Sequence, residues 1–133
     1  MLKVLLSNDD GIAAKGLAVL KEKFAARAET WIVAPRTEQS AKSHSFSMLK
    51  PLEIHRVSER EYAIGGTPAD CVYFAINHLG IEFDYVVSGI NHGANLGNDL
   101  HYSGTAAAAR EACLSGIPAM AVSMQPRKDG PPN

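Results

Sequence analysis

Short apolar runs at Leu2–Leu6, Asp84–Ser88 and Ile117–Ser123 predict an α/β protein built on a parallel sheet covered by helices. Three observations carry that expectation. The runs are apolar on both faces, segments of helical periodicity separate them, and polar turn chemistry follows them. A chain of 133 residues is long enough to bury a core without disulfides or structural metals. Residues 1–124 are expected to form one core, and 125–133, with Pro126, Pro131 and Pro132, a Pro-rich tail that is disordered or a truncated continuation.

Leu2 to Leu6 reads as a buried strand that Ser7-Asn8-Asp9-Asp10-Gly11 ends. Gly16 to Arg27 places Leu17, Leu20 and Phe24 on one face at spacings of three and four, the pattern of an amphipathic helix. Thr30 to Ala34 is a second strand, closed by Pro35. The polar stretch Pro35–Ser47 is too long for a mere connector, and such loops tend to be functional or mobile. Leu49–Val57 and Tyr62–Ile64 predict a β-hairpin around Ser58–Glu61. Thr67 can cap a helix that Pro68 opens and Asp70 favours through its charge, with Gly80 as the stop. A strand over 84–88 leads into a Gly-rich loop, Gly89–Gly104. Ser103 or Thr105 then opens an Ala-rich helix through Leu114, Gly116 stops it, and the last strand covers 117–123.

Thirteen basic residues nearly cancel fourteen acidic ones, a net charge of −1, so no basic field points to a nucleic-acid polymer or a membrane surface. Asn8-Asp9-Asp10 interrupt the first apolar run too early for a signal peptide, and no window approaches the roughly 18 apolar residues of a membrane span. A cytoplasmic protein is expected. Cys71 and Cys113 lack metal or redox spacing and read as reduced core thiols, with a disulfide as the alternative.

In open parallel sheets ligands bind beyond the carboxyl ends of the strands. Ser7–Gly11, Pro35–Ser47 and Ser88–Ser103 all leave such ends, so distant segments converge on one edge. Asp9 and Asp10 are adjacent carboxylates there; they suit a hard divalent cation such as magnesium or manganese, or else form turn or cap chemistry. Asn91 and Asn95 can offer oxygen to a metal or N–H to an anion, or belong to a plain glycine loop. That loop matches neither a phosphate-loop nor a dinucleotide-binding motif, which counts against an ordinary NTPase or dehydrogenase. Ser103-Gly104-Thr105 at a helix start is a phosphate cradle or a simple cap. Ser40, Ser43, His44 and Ser45 offer hydroxyl and imidazole groups, and Lys42 a cation, in a loop where solvated residues are the plainer reading. His92 and His101 are possible site-lining groups, whereas His55 and His78 fall in structural elements.

Five segments carry a resemblance: Ser7–Gly11; Ala34-Pro35 with Gln39-Ser40-Ala41 and Ser43-His44-Ser45; Gly66–Val72; Ser88–Asn91 with Asn95-Leu96-Gly97; and Tyr102–Thr105. In order and spacing they resemble the SurE family of survival proteins, metal-dependent nucleoside-monophosphate phosphatases, over residues 1 to about 123. The resemblance implies a Rossmann-like parallel sheet with helices on both faces and hydrolysis of nucleoside 5′- or 3′-monophosphates, with short polyphosphate a further substrate of some members. It implies one divalent ion (Mg2+ or Mn2+) per site, held by Asp9, Asp10, Ser40 and Asn91. Asn8, Ser43, His44, Asn95, Ser103, Gly104 and Thr105 would hold phosphate or substrate. Full-length members form homodimers or tetramers. Lys15 stands where the family usually has proline, and Ala112 follows Glu111 where it commonly has glycine. Family members also continue well beyond this length, so a fragment or truncated form lacking the C-terminal part is expected.

The leading expectation is thus a metal-dependent phosphomonoesterase in which Asp9 and Asp10 are catalytic, with His44 or a metal-bound water as the proton donor to the leaving group. A nucleotide- or phosphate-binding module, inactive because the C-terminal half is absent, is the alternative. A phosphatase with an aspartyl nucleophile is disfavoured because Asp9-Asp10-Gly11 lacks the Asp-x-Asp pattern.

Overall fold

The computed structural model describes residues 1–37, 52–92 and 99–124, with 92 and 99–103 as backbone only. Its elements are β1 (Leu2–Ser7), α1 (Lys15–Ala25), β2 (Ala28–Pro35), β3 (Ile54–Ser58), β4 (Glu61–Ile64), α2 (Pro68–His78), β5 (Tyr85–His92), α3 (Asp99–Leu114) and β6 (Ala119–Met124). The six strands form one sheet in the order β3-β4-β2-β1-β5-β6. All neighbours run parallel except β3, which pairs antiparallel with β4 as the predicted hairpin and makes the sheet mixed.

β1 lies at the centre, between β2 and β5. Alternation along the strand sends Leu5 to one face and Val4 and Leu6 to the other, which is why its sequence is apolar throughout. On the Leu5 side, Cys71, Val72 and Ala75 of α2 and Ala108 and Ala112 of α3 pack against Val33, Ile64 and Val86. On the other side, Leu17 and Leu20 of α1 cover Val4, Leu6, Ile32 and Val87. Each fully buried Leu or Val contributes about 1.5–3 kcal/mol relative to exposure. Helices therefore cover both faces, as expected.

Several boundaries depart from the sequence reading. β3 begins at Ile54, later than the expected Leu49, and residues 49–51 lie outside the described residues, as does the tail 125–133. β2 begins at Ala28, two residues before Thr30, because Leu2 already pairs with Ala28. β5 continues past Ser88, so Gly89, Ile90, Asn91 and His92 are strand and not loop. The partner β6 draws them on: after an irregularity beyond Ser88, Asn91 pairs with Ser123 and His92 with Met124. Gly89, at φ +149°, sits where a Cβ would lie 2.5 Å from the Val122 carbonyl oxygen. α3 begins at Asp99, ahead of Ser103, because an α-helix tolerates a single interior glycine, here Gly104. The thiols also differ from expectation: both are unbridged and Cys71 is buried, but Cys113 is exposed and not a core residue. Among the described residues no helix is long and apolar enough to cross a membrane.

Candidate functional site

The burial of β1 carries past its last residue. Ser7, Asn8 and Asp9 have 0–1% of their surface exposed, and Asp10 is partly exposed. Burying consecutive polar side chains is costly, so each needs an employment. Asn8 has a local one. Its Nδ2 donates to the Gly11 carbonyl (2.8 Å) and its Oδ1 accepts from the Gly11 N–H (3.2 Å), closing the turn that presents Asp9 and Asp10. Gly11 adopts φ +107°, the left-handed region that this closure demands. The Ile12 N–H then donates to the Pro35 carbonyl (2.7 Å), and the Arg36 N–H to the Ile64 carbonyl (2.9 Å). The carboxyl ends of β1, β2 and β4 are thereby stitched into one edge.

β5 brings Asn91 to the same edge, one strand over from Asp9. Asn91 is buried, and neither its Nδ2 nor its Oδ1 has a hydrogen-bond partner among the described residues. α3 completes the group from above the sheet. Gly104 and Thr105 are buried, and the Asp9 carboxylate lies directly against the Gly104 backbone. Thus Asp9, Asp10, Asn8, Asn91, Gly104 and Thr105 gather at the carboxyl edge, with the Ser103 backbone adjoining. Ser40, Ser43, His44 and Asn95 lie outside the described residues, as does Lys42.

The Ser103-Gly104-Thr105 tripeptide needs a correction. Because α3 starts at Asp99, these residues fall in its second turn, where N–H groups are committed to carbonyls four residues earlier. They do not form the open N-terminal cradle that the sequence suggested.

Two residues escaped the sequence reading. Ser7 and Ser88 are fully buried, pair in register across β1 and β5, and have hydroxyls without a partner among the described residues. Their signal was the matching end of two apolar runs, each closing on serine. The histidines read as structural behave accordingly: His55 is exposed beside Arg36 and Glu53, and His78 stacks on Phe74.

The chemistry of this edge fits a hard divalent cation. Two carboxylates and an amide oxygen are oxygen donors of the type that magnesium and manganese prefer, and the buried Asn91 amide lacks a hydrogen-bond partner among the described residues. No group of three or more His, Cys, Asp or Glu forms a metal cluster among the described residues, so amide and hydroxyl oxygens would have to contribute. Two cavities lie elsewhere. One of about 260 Å3, bordered by Lys21, Thr30, Arg60 and Glu61, sits at the amino ends of β2 and β4; another of about 270 Å3 lies between Ile54, Tyr73, Phe74 and His78.

The family model described as "Survival protein SurE" matches residues 4–132. A protein of Myxococcus xanthus named 5′-nucleotidase SurE is 52% identical over 130 residues, spanning 96% of this chain and 49% of that relative. A protein of the same name from an Anaeromyxobacter species is 54% identical over 125 residues, spanning 92% of this chain and 49% of that relative. Among solved structures, the SurE protein from Aquifex aeolicus superposes with a TM-score of 0.86 at 37% identity, covering 96% of this chain and 52% of that one. The chain spans about half the length of the relatives it matches.

Proposed function

This chain belongs to the SurE family, and from that premise we propose that it carries the site of a metal-dependent phosphomonoesterase releasing phosphate from nucleoside 5′- or 3′-monophosphates. The observation that carries the reading is that buried Asp9, just past β1, and buried Asn91, at the end of the neighbouring strand β5, share one edge, with the Asn91 amide lacking a hydrogen-bond partner among the described residues. Asp9, Asp10 and the Asn91 Oδ1, with Ser40, would hold the ion. Once bound, a magnesium or manganese ion neutralises phosphoryl charge and lowers the pKa of water.

The chain's own residues supply the rest. Asn8 fixes the turn, so Asp9 and Asp10 need no reorganisation when substrate arrives. Asp10, the more exposed of the pair, orients the attacking water, while buried Asp9 anchors charge where water is excluded. The Asn91 Nδ2 is left to donate to a phosphoryl oxygen. His44 or a water molecule would give the proton to the departing ribose oxygen. Positioning and charge stabilisation provide most of the acceleration that phosphoryl transfer needs.

The test is phosphate release from a panel of nucleoside monophosphates with manganese, magnesium or EDTA. Release that requires the metal, stops with EDTA and drops to background in Asp9→Asn at unchanged circular dichroism is the expected result. Near-normal turnover by Asp9→Asn would remove the proposed metal role. Because the chain spans half the length of its relatives, a second reading is a nucleotide- or phosphate-binding module. Metal-dependent nucleotide binding without phosphate release by the folded chain would favour it.

A further inference from the structure

Glycine is a poor helix residue, yet Gly104 occupies the second turn of α3. Its surroundings supply the reason. A Cβ at this position would stand 2.5 Å from the Asp9 Cγ and 2.8 Å from its Oδ2, inside the closest approach that real side chains make. Neither partner can retreat. Asp9 is buried, follows the fully buried Leu6 and Ser7, and sits in a turn that Asn8 closes onto Gly11. α3 is pinned by Thr105, Ala107, Ala108 and Ala112, each at most 1% exposed, with Ala108 and Ala112 in the core beside Leu5 and Val86.

We infer that Gly104 is a positioning residue for Asp9: the bare helix backbone is the seat of the carboxylate, and the missing side chain fixes where its charge is presented. This differs from a role in holding phosphate, which would act on substrate and leave Asp9 alone. The consequence for metal binding rests on the reading above; the steric coupling of 104 to 9 does not.

The experiment compares the full chain with Gly104→Ala, Asp9→Ala and the double variant. Thermal unfolding in EDTA reads the coupling, and calorimetric titration with manganese alone reads the consequence. The expected result is that Gly104→Ala lowers the melting midpoint when Asp9 is present and leaves or raises it when residue 9 is alanine, where only the helix preference for alanine remains. Gly104→Ala is also expected to weaken manganese binding by about tenfold or more, the loss typical when a group that orients a metal ligand is altered.

Equal shifts of the midpoint in both backgrounds, or manganese binding by Gly104→Ala that matches wild type, would overturn the proposal. If Gly104→Ala fails to fold but the double variant folds, the coupling stands; if both fail, something other than the carboxylate rejects the methyl group and the proposal falls. If the wild-type chain takes up no manganese, the metal reading fails, and the melting comparison alone decides the seat.

Discussion

Cys71 shows how a single side chain can be silent in the chemistry yet legible in stability. It is fully buried on α2, and burial, reinforced by the neighbouring Asp70 carboxylate, pushes its thiol well above the ordinary value of 9.0. The folded protein keeps this proton at pH values where an unfolded chain has released it. The contribution is therefore complete below about pH 9 and is lost as pH rises beyond it, at up to about 1.4 kcal/mol per unit. Denaturant titrations on the alkaline side are expected to show this slope in wild type and its reduction in Cys71→Ala. A thiol reagent should find only the exposed Cys113 in the native protein and both cysteines in guanidinium. At this scale the sequence announced Asp9 and Asp10 through an abrupt change from apolar to acidic residues. Burial of Asp9, the lack of partners for the Asn91 amide among the described residues and the close approach of Gly104 depend on contacts between distant segments, which spacing alone does not carry.

Among the elements, α2 was the most legible, because its start is written locally. The Thr67 hydroxyl accepts from the Asp70 N–H (3.2 Å), the Asp70 Oδ2 accepts from the Thr67 N–H (2.9 Å), and Pro68 follows the cap. Thr67→Ala is expected to cost about 1 kcal/mol, measurable by urea unfolding with an unchanged m-value. α3 was the least legible. Its start at Asp99 follows Asn98, a residue type that caps helices, but lies in a stretch rich in Gly and Asn that reads as loop, and Gly104 reads as a helix opening until Asp9 is seen against it. The extension of β5 was hidden for a related reason. Gly89 resembles the beginning of a loop, and only β6, which follows α3 in the chain, reveals that Asn91 belongs to a strand. Local chemistry thus sets α2, whereas neighbours remote in sequence set the boundaries of β5 and α3.

At the scale of the whole molecule, the sheet order turns separate weak signals into one edge. Any ion that binds there and not to the unfolded chain must raise the melting temperature. Manganese at about a hundredfold excess over its dissociation constant should add about 2.7 kcal/mol. Calorimetry should show that gain in wild type and lose it in Asp9→Asn, whether or not substrate turns over. The apolar runs disclosed a two-faced sheet because β1 and β5 are covered on both sides. They did not disclose which strand is central, since strand order is a matter of crossovers and not of composition. The central place of β1 has a kinetic consequence. As the chain emerges during synthesis, Leu2 can soon meet Ala28, but Val4 must wait for Tyr85. Until then the strand that leads to the acidic turn has an unpaired flank, and closing it requires a long-range contact of the kind that slows folding and invites association between nascent chains.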